Sequence, residues 1–369
     1  MSRIFFVCPT SSVPTGGVQQ IYRQVEVLNR YGFEAAVLHG EADYQAHWFD
    51  HSAAIAYDPR FHYSLPIPEE QQGKIAIAPE DYLVFPEVWP RDRIEPLSEL
   101  VNHIVIYNQG AYCTFYTHSD LPDDSWSPYH SPKTRAILTV SEDSADYLRY
   151  GFPHLPVHHI RHGIDGDLFA YRPMAEKEWP ALLINTKQAK IFQQVLYLLS
   201  GRGGLLEEHS IVIAQTIPRS DLAAAFQKTA IFLWAGHCEG FGLPVAEAMA
   251  CGCVVVGFHG GGARQLMQAD RAVPIEGGNV LAMAQAVEQL LVQRSRDPAP
   301  LAAMGQRAAQ YIREVHSLDQ EARSILQAWA AILGNALPTK ARQALDQFSG
   351  QGPTGVIAAP PPPDSRVIF

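Results

Sequence analysis

The chain is short of positive charge. Its 369 residues carry 28 Lys and Arg against 38 Asp and Glu, a formal net charge of −10. The excess is local. Residues 1–160 hold 10 basic and 20 acidic side chains, and the remainder holds 18 of each. A general nucleic-acid binder needs a basic face to displace counterions, so that class is not expected. The acidic first half also disfavours broad adhesion to anionic lipid and repels a strongly anionic ligand unless a local basic patch exists. Its simplest role is a solubilising surface. Cysteine is scarce too: five residues, an odd number, make no disulfide framework. Apolar runs break well short of the about 18 residues that a membrane-spanning helix needs. The opening Met1–Ser12 stretch has neither the length nor the cleavage region of a secretory signal. These absences lead us to expect a soluble protein of a reducing cytoplasm.

Apolar residues, by contrast, make up 47% and charged residues only 18%. Such a chain buries a sizeable interior, and its length fits about two domains of 100–200 residues. The pattern along the chain is α/β. Ile4–Cys8 reads as a buried strand of a parallel sheet, followed by a Gly16-Gly17 loop. Val18, Ile21, Tyr22, Val25 and Leu28 then space one helical face, and Ala35–Leu38 is the next strand. That is a βαβ unit. Further strands are predicted at 81–85, 103–107 and 136–140, with 114–135 a long loop. Ser141 is placed as the cap of a helix over 142–150. The second half repeats the logic. Strands are expected at 182–184, 210–214, 230–234 and 253–257, and helices at 191–199, 243–250, 280–293 and 301–315. Ser317 has capping-box spacing before a last helix to Leu333. Beyond Gly350 the tail contains four consecutive prolines and is expected to be disordered. The expected division is therefore 1–160, 161–316, a helix within 317–345 packing back toward the first domain, and a tail over 346–369. Two such halves make two doubly wound sheets facing a cleft, with ligands at the carboxyl ends of strands.

The densest chemistry lies in His237-Cys238-Glu239-Gly240-Phe241-Gly242-Leu243-Pro244-Val245-Ala246-Glu247. Gly240 and Gly242 permit close backbone approach, and Pro244 suits a first helical turn. Free N–H groups at that terminus bind phosphate or sugar oxygens. Glu239, read as a loop residue, and Glu247, on the helix, are two carboxylates able to accept hydrogen bonds from two hydroxyl-bearing parts of one ligand. A metal reading of His237, Cys238, Cys251, Cys253 and His259 is set aside, because Cys-x-Cys at a helix-to-strand turn lacks finger or ribbon spacing. No P-loop, nucleophile-elbow or zincin string is present.

The string EGFGLPVAEAMACG resembles the E-x7-E element of retaining, GT-B-type glycosyltransferases of family 4, also called group 1. Pro14–Val18, Thr139–Glu142, Ile160–Phe169 and Phe258–Gly262 are similar to other segments of that family, in the same order across about residues 4–335. The resemblance implies a GT-B fold of two Rossmann-like domains and transfer of a sugar from a nucleotide-diphosphate sugar to an acceptor hydroxyl. It implies no metal and no resident cofactor. Glu247 would receive the ribose and Glu239 the transferred sugar. Phe241, Gly242 and Leu243 would approach the sugar and diphosphate through backbone N–H groups, with Gly16 and Gly17 across the cleft. Where relatives place an Arg and a Lys for the diphosphate, this chain has Asn185-Thr186-Lys187-Gln188-Ala189-Lys190, so Lys187 is the first choice and Lys190 the second. Asn108 and Gln109 stand where many relatives carry His, and His162 where Asn is common; these three are weaker candidates for sugar or acceptor contact. Expected acceptors are a glycan, a lipid-linked sugar or a protein, with peripheral membrane contact left open. The competing expectation is a non-catalytic GT-B partner or chaperone of another glycosyltransferase.

Overall fold

The computed structural model describes residues 2–42, 44–63, 73–115, 127–184, 188–209, 211–214 and 218–350. In the first domain the strands are β1 (Ile4–Val7), β2 (Ala35–His39), β3 (Ile55–Tyr57), β4 (Tyr82–Pro86), β5 (His103–Asn108), β6 (Thr134–Thr139) and β7 (Val157–His159). They are joined by helices α1 (Gly16–Arg30), α2 (Arg91–Ser98) and α3 (Glu142–Gly151). All seven strands pair in parallel in the order β3-β2-β1-β4-β5-β6-β7. β1 and β4 are buried along their whole length, because helices cover both faces of such a sheet.

The second domain contains β8 (Trp179–Ile184), α4 (Ala189–Ser200), α5 (Leu205–Glu208), β9 (Ile211–Ala214), α6 (Arg219–Lys228), β10 (Thr229–Glu239), α7 (Leu243–Ala250), β11 (Val254–Gly261), β12 (Val273–Ile275), α8 (Val280–Arg296) and α9 (Ala299–Val315). Its five strands are parallel in the order β12-β11-β10-β8-β9. Helix α10 (Leu318–Leu333) then leaves this domain and packs on α1, β6 and β7 of the first. Trp329, fully buried, sits edge-on to Phe6 and Tyr82. One apolar core runs from β1 and α1 through Ile160, Ile164 and Phe169 to the buried face of α7. No helix among the described residues is long and apolar enough to cross a membrane.

Several boundaries differ from the sequence reading. α1 begins at Gly16, so the two glycines form its first turn and not a preceding loop. β6 begins at Thr134, inside the expected long loop, of which residues 116–126 lie outside the described residues. The first residue of the expected 210–214 strand, Ser210, also lies outside them. Residues 346–350, assigned to the tail, continue helix α11 (Thr339–Gly350); the remainder, 351–369, is outside the described residues. β3, β7 and β12, three residues each, are too short for periodicity to register. Helix α2 carries Pro96 internally, and the apolar face of α6 rests largely on Ala223, Ala225 and Phe226. Neither presents a strong helical stripe. The caps agree with expectation: the Ser141 hydroxyl accepts from the Ser144 N–H and the Ser317 hydroxyl from the Gln320 N–H.

Lys177, 4% exposed, fastens the helices that flank the second crevice. Its ammonium donates to the carbonyls of Phe226 (3.1 Å) and Cys251 (2.8 Å), at the carboxyl ends of α6 and α7. A cation there satisfies carbonyls that have no intrahelical partner and opposes both helix dipoles. Replacing it by an apolar chain removes the charge-assisted bonds and leaves the Cys251 carbonyl to the Arg172 N–H and the Phe226 carbonyl to the Thr229 N–H and the Cys253 thiol. Lys177→Met should cost about 2–4 kcal/mol in urea unfolding. An unchanged midpoint would mean that water replaces the ammonium without loss.

Candidate functional site

In the first sheet the strand order reverses between β1 and β4, and in the second between β8 and β10. Crevices open at the carboxyl ends of such strand pairs. The first crevice receives the amino end of α1, after β1, and Glu87, after β4. The second receives the residues after β8 and the turn from β10 to α7.

That turn is shaped by backbone geometry. β10 runs to Glu239, so this carboxylate is the last strand residue and not a loop residue, a correction to the sequence reading. The pairing of β10 with β11 shifts register between Gly236 and Glu239, and Cys238 sits at φ 51°, a left-handed conformation that non-glycine residues rarely adopt. The irregularity re-aims the strand end. The Glu239 carbonyl then accepts from the Gly262 N–H at 3.0 Å. Gly242, at φ 89°, caps α7 without a side chain, and Leu243 and Pro244 open the helix. A Cβ at Gly240 would overlap the Gln109 carbonyl oxygen of the other domain. Only glycine allows that approach.

The two domains therefore meet amino end to amino end. A Cβ at Gly16 would lie 3.1 Å from the Leu243 side chain, which puts the first turn of α1 against the first turn of α7. Both turns present N–H groups with no intrahelical acceptor. Along α1, Gly16, Gln20 and Arg23 share one face; along α7, Leu243 and Glu247 do. Gly17 is held by Gln109, whose Nε2 donates to its carbonyl at 3.0 Å. Across the cleft, Arg264 pairs with Asp143 at 3.1 Å, and Asp143 also accepts from the Tyr112 hydroxyl at 2.6 Å.

Glu247 is 5% exposed, and burial pushes its carboxyl up to about 7, against the pull of a guanidinium. That partner is Arg219, at the start of α6, 3.2 Å away. The sequence reading noted a missing arginine after β8 and overlooked this one from α6. Its only sequence signal is the Pro218-Arg219 step opening a helix. Of the two lysines chosen for the diphosphate, Lys187 lies outside the described residues together with Asn185 and Thr186. Lys190 is exposed in the first turn of α4. Phe241 is buried between two histidine rings, 5.0 Å from His162 and 5.1 Å from His316.

Two of the weaker candidates are placed elsewhere. Asn108 is fully buried inside the first domain, its amide donating to the Thr114 hydroxyl (2.7 Å) and the Tyr129 hydroxyl (3.0 Å). It ties Thr114 to Tyr129 in the interior of the first domain. His162, 3% exposed, packs edge-on to Phe241, and burial pushes its imidazole down to about 3. It supports the Phe241 ring at the hinge. Gln109 stays at the cleft. Among the described residues no three His, Cys, Asp or Glu side chains are grouped to hold a metal ion. Cys251 and Cys253 are buried, and the Cys253 thiol points at the Phe226 and Thr229 carbonyls.

Residues 177–293 match the family model described as Glycosyl transferases group 1. That match lies within the second domain. No curated protein matches in sequence. Among solved structures, sucrose-phosphate synthase from Thermosynechococcus elongatus superposes with a TM-score of 0.65 at 14% identity, over 90% of this chain and 99% of its own. A glycosyltransferase from Rickettsia africae gives 0.67 at 15%, over 90% and 99%. HepE of Anabaena, solved with UDP and glucose, gives 0.62 at 13%, over 90% and 100%. At such identities the likeness is one of fold, and the fold is GT-B.

The first crevice has one carboxyl that the sequence reading passed over. Glu87 follows β4 at the reversal point, and one of its oxygens accepts from the Gln109 N–H at 3.0 Å. Burial pushes it up to about 7, with hydrogen bonds from backbone N–H groups pulling the other way. A carboxyl raised in the folded state binds a proton that the unfolded chain has lost, so its contribution to stability falls from about pH 4.5 to about 7. Glu87→Gln should flatten that decline by about 2 kcal/mol, after some solvent screening, in urea unfolding at pH 5 and pH 8. Parallel pH profiles for variant and wild type would contradict the assignment.

Proposed function

We propose that this chain is a group 1 glycosyltransferase and a retaining enzyme of family 4. It moves a sugar from a nucleotide-diphosphate sugar to an acceptor hydroxyl without a metal ion, in surface-polysaccharide or other glycoconjugate synthesis in the cytoplasm. The observation that carries this reading is the opposition of α1 and α7. It sets two unsatisfied helix amino ends face to face, with Glu239 and Glu247 beside one of them.

Each part has work that suits its chemistry. Glu247 accepts hydrogen bonds from the ribose hydroxyls, and Glu239 from hydroxyls of the transferred sugar. The N–H groups of Phe241, Gly242 and Leu243 and of the Gly16-Gly17 turn lie against the sugar and the diphosphate, where negative charge grows as the anomeric bond breaks. The bond from the anomeric carbon to the β-phosphate oxygen breaks with its electron pair on the phosphate. The acceptor oxygen bonds to the same face, and its proton passes to the departing phosphate. Closure of the cleft, with Gly240 on Gln109 and Arg264 on Asp143, excludes water that would otherwise hydrolyse the donor. The UDP bound by the Anabaena neighbour makes uridine the first base to test.

The test is a thermal-shift panel of UDP, GDP, ADP, CMP and dTDP, followed by turnover with the sugar donors of the base that binds. One nucleotide at about 100 times its Kd should stabilise wild type by about 2.7 kcal/mol and leave Glu247→Ala unshifted. Glu239→Ala should lose at least about a hundredfold in kcat. A well-folded protein that no nucleotide shifts would be the non-catalytic partner, and an inverted product anomer would overturn retention.

A further inference from the structure

The donor reading has one requirement whose first sequence candidate, Lys187, lies outside the described residues. A nucleoside diphosphate leaves with negative charge, and a cation must meet it. The segment after β8 has no arginine, and Lys190 is exposed. Arg219 is placed differently. Its Nη2 is 3.2 Å from Glu247 Oε1, and its guanidinium lies 5.3 Å over the Phe169 ring. Its Nε is buried and has no hydrogen-bond partner among the described residues. The same side chain lines a cavity of about 170 Å³ together with Gln20, Arg23 and Asp165. Gln20 is 4% exposed, and its Oε1 also has no partner there. The cavity thus carries unspent hydrogen-bonding groups from α1 and α6, one helical turn from Gly16 on the face that meets α7. Arg23, the other guanidinium on the wall, is held by Glu321 of α10 at 2.7 Å and by Glu26 at 3.7 Å, with its buried Nη2 also lacking a hydrogen-bond partner among the described residues. Among the described residues the ion-pair partner of Arg219 is Glu247, the carboxylate that the ribose would claim.

We propose that Arg219 is the diphosphate cation of this chain. Glu247 holds it while the site is empty, and ribose hydroxyls displace it from Glu247 onto the phosphates when a nucleotide sugar enters. This rests on the donor assignment above. The exchange conserves charge pairing, because the guanidinium moves from one anion to another while neutral hydroxyls occupy Glu247. Phe169 guides the planar group as it turns.

The experiment is calorimetric titration of UDP, GDP and ADP, each beside its nucleoside, into wild type, Arg219→Ala, Arg219→Lys and Glu239→Ala, with kcat measured on the same proteins. Arg219→Ala should weaken the preferred diphosphate about 10- to 100-fold, as loss of a charge-assisted contact does, and leave its nucleoside within about twofold. kcat should fall with it, and Arg219→Lys should restore part of both. Equal losses for nucleoside and diphosphate would make Arg219 a mere prop for Glu247 and overturn the proposal. So would unchanged diphosphate affinity. If Arg219→Ala retains affinity and kcat while Glu239→Ala abolishes transfer, the transferase reading stands and only the arginine's role falls. If wild type binds no diphosphate, both fall.

Discussion

The buried ammonium of Lys177 is the constraint from which the second crevice follows. It gathers the carboxyl ends of α6 and α7 onto one charge through the carbonyls of Phe226 and Cys251. Two helices pinned at their carboxyl ends have their amino ends directed together, and those ends carry Arg219 and Leu243 with Glu247 one turn on. The backbone of Lys177 is held in turn, since its carbonyl accepts from Arg294 of α8 at 2.8 Å. Burying a lone ammonium costs far more than burying a methyl group, so the site exists only because the helix carbonyls are there to meet it. Residues remote from the crevice thereby set its geometry.

Charge is handled the same way across the cleft. Arg23 of α1 reaches Glu321 of α10, and that carboxylate also accepts from the Gly163 N–H at 3.1 Å. A helix that follows the second domain in sequence is thus part of the first domain's core and touches the hinge at once. The contact is nearly dry, with the Glu321 side chain 1% exposed, so it is screened little by salt. The latch of Tyr112, Asp143 and Arg264 lies nearer the surface, with Arg264 61% exposed. A pair of that kind contributes little to stability.

The glycines divide the labour. Gly240 and Gly16 allow the two domains to approach, because a side chain at either would meet the opposite backbone or Leu243. Gly242 allows the turn into α7 by accepting a left-handed conformation. Cys238 reaches a left-handed conformation without being glycine, at a cost of about 1–3 kcal/mol. That strain lies beside Glu239, where re-aiming a carboxylate is useful.

The sequence alone determined the elements that depend on neighbours in the chain. The apolar runs of β1, β4 and β10, the stripe of α1, and the Ser141 and Ser317 caps are local signals, and the glycine-rich turn with its two glutamates is written in one contiguous string. Tertiary structure decided what is close in space and distant in sequence. Asn108 and His162 stand at motif positions, yet packing turns one toward Thr114 and Tyr129 and the other under Phe241. Arg219 and Glu87 sit in no motif, and only the strand order and the convergence of α6 on α7 bring them to the crevices. A hydrophobic pattern specifies which face of an element is buried; which charged groups meet at its end depends on how the elements cross, and no local pattern records that.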